Sequence, residues 1–328
     1  MKKNYNWGIL APGKIANKFA QGLSVTQNGK LHAVGSRSFE RAKAFAAMHN
    51  ISKYYGSYNE LLQDGSIDVI YVATPHHLHY EMTKLSLENG KHVLCEKPAT
   101  INQNQFKELS QLATEKGLFY MEAFWTRFLP SIETCLGLLP RIGPIQFLKA
   151  EFCFKAEFDP ESRIFNSKLG GGSLLDIGIY PVFLSLLVLG VPDHINASAI
   201  IGKTGVDNSM SAIFKYKNGA ISNLSSSFMT TTGSGAEIAG QHGRIVLAPR
   251  FHIPQSIEII MEDGTSEKFE CSYRKNGYEY EAEELMNCLD QGLTQSPRLP
   301  HEFTSKLMML LDQIRAQINL KYDEDSIF

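Results

Sequence analysis

Three residues in this 328-residue chain have the types and spacing to move a proton and steady an oxygen. Asp176 and Tyr180 stand four apart in "GGGSLLDIGIYPV", so on a helix they share one face. Lys97 sits in "CEKPAT", directly after the strand-like run "HVLCE". A carboxylate and a phenol facing one cleft beside an ammonium suit proton transfer to or from a hydroxyl while hydride leaves its carbon. Each residue also has a plain structural use. A lysine at a strand end is often a surface charge, and a helical tyrosine often packs with its hydroxyl satisfied. Gly170, Gly171 and Gly172, just before the pair, let the backbone turn sharply or approach a ligand. Pro98 biases Lys97 towards extended backbone, and a cis Lys-Pro bond is open to it.

Such groups need elements that hold them in place. From Asn6 to about Glu122, the strand-like runs "WGIL", "LHAVGS", "DVIYVAT", "HVLCE" and "LFYME" alternate with helix-like runs. That order predicts a parallel sheet covered on both faces. Lys97 then lies at the C-terminal end of the sheet, where open α/β folds bind ligands. Beyond Glu122 the pattern changes. One long buried helix is expected around "SLLDIGIYPVFLSLLVLG", followed by strands with hairpin signals at Asn218-Gly219 and Asp263-Gly264. Phe303, Leu307, Leu310, Leu311, Ile314 and Ile318 then repeat at helical spacing. The fold class is α/β. A doubly wound Rossmann domain over residues 1–123 precedes an α+β domain with a large open, mostly antiparallel sheet over residues 124–328.

The first turn, "NWGILAPGKIA", sets Ala11, Gly13 and Ala16 where a G-x-G-x-x-G fingerprint has glycines. Gly13 is the position where a missing side chain lets backbone approach a pyrophosphate at a helix N-terminus. Gly8, Ala11, Gly13, Lys14 and Ile15 are therefore candidate cofactor contacts. After "LHAVG" an NAD site would want an Asp or Glu. The chain offers Ser36 and Arg37, with Arg41 one helical turn on. A hydroxyl and guanidinium groups suit a 2′-phosphate, which makes NADP (NADPH) the expected cofactor. The plainer alternative is a tight turn followed by two arginines on a solvated helix face.

A net charge of −2 gives no footprint for nucleic acid or an anionic membrane. With 43% hydrophobic and 20% charged residues, the composition is that of a soluble globular enzyme. The start "MKKNYNWGIL" lacks the apolar core of a signal peptide, and the longest uncharged run, residues 177–192, is too short for a membrane span. Five cysteines without a C-x-x-C pair fit reduced thiols in the cytoplasm. The "HHLH" cluster has no further ligands at metal spacing nearby, so no metal is expected.

Together, "CEKP", "MEAFWTRFLP" and "GGGSLLDIGIYPV" resemble the Gfo/Idh/MocA oxidoreductases, closest to their dihydrodiol dehydrogenase and NADP-dependent D-xylose dehydrogenase branch. The resemblance covers nearly the whole chain. It implies that the first domain binds the nicotinamide nucleotide and that the open sheet of the second makes a homodimer contact. It places the catalytic lysine at Lys97 and the catalytic tyrosine at Tyr180, where inositol-dehydrogenase-like members carry histidine, with Asp176 one turn earlier. Thr74, Pro75, His76, His79 and Glu96 match segments on the nicotinamide side, and Arg37 matches the 2′-phosphate site.

Trp125 and Arg127, at the domain junction, join the cofactor candidates. Trp125 and Phe154 are also candidate walls for substrate, with core packing the alternative for Trp125. Arg127 has Glu122 or another local carboxylate as an alternative partner. The function implied is NADP-dependent hydride transfer at a CH–OH group of a trans-dihydrodiol or aldose. Tyr180 would be the general acid/base, its pKa lowered from about 10 by Lys97. Asp176 would orient Lys97 or the substrate. Which of Lys97 and Tyr180 carries the proton stays open. The alternatives are a dehydrogenase of another sugar or polyol derivative and a non-catalytic NADP-sensing protein.

Overall fold

The branched and aromatic runs of the first third are buried on both faces, as strands of a covered parallel sheet must be. In the computed structural model, which describes residues 3–247 and 249–326, they form β1 (Tyr5–Leu10), β2 (Gly29–Gly35), β3 (Lys53–Tyr55), β4 (Val69–Val72), β5 (His92–Glu96) and β6 (Tyr120–Ala123). Met1 and Lys2 of the lysine-bearing start lie outside the described residues. The strands lie in the order β3-β2-β1-β4-β5-β6 and every pairing is parallel. The helices α1 (Lys14–Leu23), α2 (Phe39–Met48), α3 (Tyr58–Leu62), α4 (His79–Glu88) and α5 (Gln103–Glu115) alternate with them. The sheet grows from β1 in both directions, so a crevice opens beyond the C-terminal ends of β1 and β4. β3 has only three half-buried residues, too few to show a period in the sequence.

The second region carries α6 (Pro130–Leu138), β7 (Ile145–Cys153) and the buried helix. That helix starts as one π-helical stretch, Leu174–Gly178, and continues as α7 (Ile179–Leu189). Then follow β8 (His194–Ile201), β9 (Asp207–Lys215), β10 (Ile221–Ser227), β11 (Ala236–Gly240), β12 (Gly243–Leu247), β13 (Ser256–Met261) and β14 (Ser266–Glu270). Their order is β14-β13-β12-β11-β7-β10-β9-β8, antiparallel throughout except for β10 beside β7. Gly219 and Gly264 take φ of 88° and 84° in the β9–β10 and β13–β14 hairpins, as the Asn-Gly and Asp-Gly signals require. The segment Ser167–Leu189 is apolar enough to cross a membrane by composition, but 83% of its most apolar window is buried in the protein, as in a core helix. All five cysteines are free thiols.

The last helices are α8 (Tyr278–Asp290) and α9 (His301–Gln317). Compactness groups Met1–Thr100, Asn104–Phe128 and Tyr273–Ser305 in one unit, and Ile101–Gln103, Leu129–Ser272 and Lys306–Phe328 in the other. The returning stretch docks α8 on α1. Gly22 permits this, since a Cβ there would lie 2.8 Å from the Cβ of Tyr278.

Candidate active site

The first unit builds a turn that favours an anion at the C-terminal end of β1. Gly13 is the N-cap of α1, with no side chain capping the helix and no acidic residue in its first turn. The free N–H groups and the helix dipole therefore favour an anion. A Cβ built on Gly13 meets nothing within 4 Å, so the fold itself does not demand glycine there, and the space beside the backbone stays open. Thr74, at the end of β4, adds a buried hydroxyl without a hydrogen-bond partner among the described residues. These features fit a nicotinamide nucleotide lying across the crevice. Ala11 holds φ of 71°, a left-handed conformation that glycine adopts more easily. Ala16 is fully buried behind the loop, preceded by Lys14 and Ile15. Gly8 lies inside β1, where a Cβ would come within 3.0 Å of Ile70 Cδ1. Its missing side chain serves strand–helix packing and not the loop.

At the end of β2 the Ser36 hydroxyl is buried and accepts the Ser38 N–H at 3.1 Å. Arg37 and Arg41 are exposed. Arg41 Nη2 donates to the Pro12 carbonyl at 3.3 Å, which ties the start of α2 to the phosphate loop. Both guanidinium charges act on the Tyr58 hydroxyl. Two cations thus flank the loop, where an NAD site would have a carboxylate.

The Lys97–Pro98 bond is cis, and buried side chains pin the segment that carries it. His79 is fully buried, with Nδ1 2.7 Å from the Pro98 carbonyl and Nε2 2.8 Å from the Thr74 carbonyl. Burial pushes this imidazole down to about 4, so it is neutral and its one N–H can donate to only one of these two carbonyls. Both ring nitrogens of His79 thus face backbone carbonyls, one on the loop after β4 and one on the lysine segment. His76 lies beside it, also buried, with ring centroids 5.6 Å apart, and Pro75 caps this short turn. Glu96 accepts a very short hydrogen bond from Tyr71, whose ring stacks on Phe19 at 3.7 Å. Glu122, buried on β6, accepts the Ala99 N–H at 2.9 Å. Trp125 stacks on Tyr278 at 4.6 Å, which occupies one face of the indole, and Arg127 Nε donates to the Arg298 carbonyl at 2.9 Å.

The second unit positions Asp176 and Tyr180. The glycine run before them serves the fold itself. Gly172 has φ of 115°, and a Cβ there would lie 2.3 Å from Asp207 Oδ1; one on Gly171 would lie 2.8 Å from the Asn166 carbonyl. Asp207 in turn accepts from the Ser173 hydroxyl at 2.6 Å and the Leu174 N–H at 2.7 Å, which fixes where the π-helical stretch begins. Asp176 lies on that stretch and Tyr180 in the first turn of α7, so the two are not on one continuous α-helix. Both are buried. Arg163 grips the Asp176 carboxylate at 2.9 and 3.3 Å. The Tyr180 ring lies 5.6 Å from Phe152 and 5.3 Å from His252, which itself stacks on Phe152 at 4.1 Å. Phe154 packs edge-on against Phe228 at 5.3 Å. Arg163, Phe152 and His252 escaped the sequence reading because they come from irregular segments or from a strand position with no distinguishing neighbours. Among the described residues no group of three or more His, Cys, Asp or Glu side chains converges as a metal site.

Comparison with known proteins agrees with this architecture. Residues 5–124 match the oxidoreductase family with NAD-binding Rossmann fold of the Gfo/Idh/MocA group, and residues 140–246 match its GFO/IDH/MocA C-terminal domain. Trans-1,2-dihydrobenzene-1,2-diol dehydrogenase of Xenopus tropicalis is 38% identical over 96% of this chain and 98% of its own. The Homo sapiens protein of the same name is 32% identical over 97% and 98%. The 3-ketoreductase KijD10 of Actinomadura kijaniata, solved with NADP and TDP-benzene, has a TM-score of 0.87 at 24% identity, over 96% of this chain and 98% of that one. Levoglucosan dehydrogenase, solved with NADH and L-sorbose, also has a TM-score of 0.87, at 18% identity over 97% of each chain. The structural likenesses carry the fold and the sequence relatives carry the family: this chain belongs to the Gfo/Idh/MocA oxidoreductases.

Proposed function

We propose that this oxidoreductase is an NADP-dependent dehydrogenase that acts on the CH–OH group of a trans-dihydrodiol or an aldose such as D-xylose. The observation that carries the reading is Tyr180, buried at the start of α7 against the rings of Phe152 and His252. An aromatic wall beside a phenolic proton carrier suits a flat, weakly polar ring bearing vicinal hydroxyls. Relatives named for such a diol support the same class. Arg37 and Arg41 beside the phosphate loop support NADP over NAD.

The bound nicotinamide would supply the acceptor for the hydride. The chain's own groups do the rest. The Tyr180 hydroxyl exchanges the proton of the reacting substrate oxygen, and Lys97 Nζ donates a hydrogen bond to that oxygen. Asp176, held by Arg163, orients the substrate. Gly13 and the N-terminus of α1 hold the pyrophosphate. Buried thiols support a cytoplasmic setting. Ile200, Ile213 and Phe147, exposed on the outer face of the large sheet, support a homodimer through that face.

The test is a panel of trans-dihydrodiols and aldoses, each incubated with NADP and with NAD while absorbance of the reduced nicotinamide is followed. Turnover of a diol or aldose with NADP preferred is the expected result. Tight NADP binding without turnover on any member would overturn the enzymatic reading in favour of a sensor.

A further inference from the structure

The short segment from Lys97 to Ala99 is gripped from below by side chains that no substrate contact explains. Pro98 offers only a carbonyl, and His79 Nδ1 meets it at 2.7 Å. The Ala99 N–H is the next donor after Lys97, and it goes to Glu122 Oε1 at 2.9 Å. Cys95 Sγ reaches the Ala99 carbonyl at 3.8 Å. Of these three holds, Glu122 is the only one that brings a full charge. It comes from β6, next to β5, the strand that ends just before Lys97, and it is 1% exposed. Its second oxygen, Oε2, is shut off from solvent and accepts no well-formed hydrogen bond among the described residues, although the Thr304 hydroxyl acts on the carboxyl. A buried carboxylate with so few hydrogen bonds is costly, so a purely structural hold on one N–H would be met more cheaply by an uncharged side chain.

We propose that Glu122 is the positioning residue for Lys97, fixing the backbone of its segment through the Ala99 N–H. This rests on the catalytic role given to Lys97 above.

The charged and titratable surroundings of Glu122 are mixed. On β5, Glu96 opposes its ionisation, while Lys97 and the Thr304 hydroxyl favour it. Cys95 on β5 and Tyr120 on β6 are both held protonated by burial, with Glu122 adding to that. Burial is the largest influence and pushes Glu122 up to about 7. The grip on Ala99 thus changes strength across neutral pH: the ionised carboxylate makes a charge-assisted bond, and the neutral acid a weaker one. Turnover should therefore rise as pH climbs through about 7.

The experiment uses the full chain with NADP and racemic trans-1,2-dihydrobenzene-1,2-diol, measuring kcat and KM across neutral pH. Glu122→Gln keeps the shape and an acceptor oxygen but cannot ionise. It should keep kcat within about fivefold of wild type and lose the rise near neutrality. Glu122→Leu should lower kcat about tenfold or more at every pH with the KM for NADP unchanged. Retention of the wild-type pH rise in Glu122→Gln overturns the proposal. So does a wild-type kcat in Glu122→Leu while Lys97→Met is inactive, and Glu122→Gln still decides the matter where Glu122→Leu does not fold. Undiminished turnover in Lys97→Met would instead overturn the catalytic role of Lys97, and this proposal with it.

Discussion

Arg163 holds Asp176 by both carboxylate oxygens, Nη1 to Oδ1 at 2.9 Å and Nη2 to Oδ2 at 3.3 Å. The guanidinium comes from the loop before the glycine run, and the carboxylate from the π-helical stretch one turn before Tyr180. The Asp176 side chain is 9% exposed and that of Arg163 45%, so the pair is anchored on its buried side. A planar fork fixes the plane of the carboxylate in a way that one lysine cannot. Arg163→Lys should therefore lower kcat about tenfold, and Arg163→Met about a hundredfold, with the KM for NADP unchanged. Steady-state kinetics with the dihydrodiol check it. A change confined to the KM for coenzyme would place Arg163 elsewhere in the scheme.

The two arginines after β2 make a separable prediction. They are exposed cations beside the loop, so their attraction for a 2′-phosphate is screened by salt. Replacing both by serine should raise the KM for NADP about a hundredfold and change the KM for NAD little, roughly 2.7 kcal/mol of lost binding. Raising ionic strength should weaken wild-type binding of NADP and leave the double variant nearly indifferent. Equal losses for both coenzymes would assign the arginines to general anchoring.

How much of this was readable in advance depends on the kind of interaction. The parallel sheet, the hairpins at Gly219 and Gly264 and the helix through Leu307 and Ile314 follow from periodicity and turn chemistry, both local properties of the chain. The same local logic set Lys97 at a strand end. It could not find Arg163, which meets Asp176 from an aperiodic loop, or His252, which reaches Tyr180 from the segment after β12. Nor could it choose between two uses of the glycine run. The close approach at Gly172 is to Asp207, thirty-five residues away on β9, and is visible only once the sheet is assembled. One long buried helix is expected here, although Pro181 has no N–H to give to residue 177. That the ladder opens into a π-helical stretch just upstream is a tertiary outcome.

Asp207 makes the stability of the second unit depend on pH. Burial pushes its carboxyl up from 3.8 to about 6, against the hydrogen bonds from Ser173 and Leu174. The folded protein then holds this proton at pH values where the unfolded chain has released it. Stability is greatest below the unfolded value and falls as pH rises from about 4 to about 6, by roughly 3 kcal/mol from this group alone. Asp207→Asn removes the titration but keeps an acceptor oxygen. Thermal midpoints compared at the two ends of that window should show the variant gaining on wild type as pH rises. A constant gap would mean that Asp207 titrates normally in the folded protein.

The phosphate loop gives the sharpest contrast between space and strain. At Gly13 the backbone angles are φ −113° and ψ −171°, ordinary for any residue, and a Cβ meets no protein atom within 4 Å. Glycine is therefore needed there only if a ligand lies against the backbone. Gly13→Val should leave the thermal midpoint close to wild type and weaken NADP binding about a hundredfold or more, roughly 2.7 kcal/mol. At Ala11 the situation is reversed. Its φ of 71° strains an L side chain whatever lies nearby, and its N–H is already bonded to the Gly35 carbonyl at 3.0 Å. Ala11→Gly should relieve that strain, leave NADP binding unchanged and raise stability by at most about 1 kcal/mol, because glycine also frees the unfolded chain. Fluorescence titration with NADPH and thermal melts of both variants check the pair. Unimpaired binding in Gly13→Val would show that the pyrophosphate does not lie against this turn.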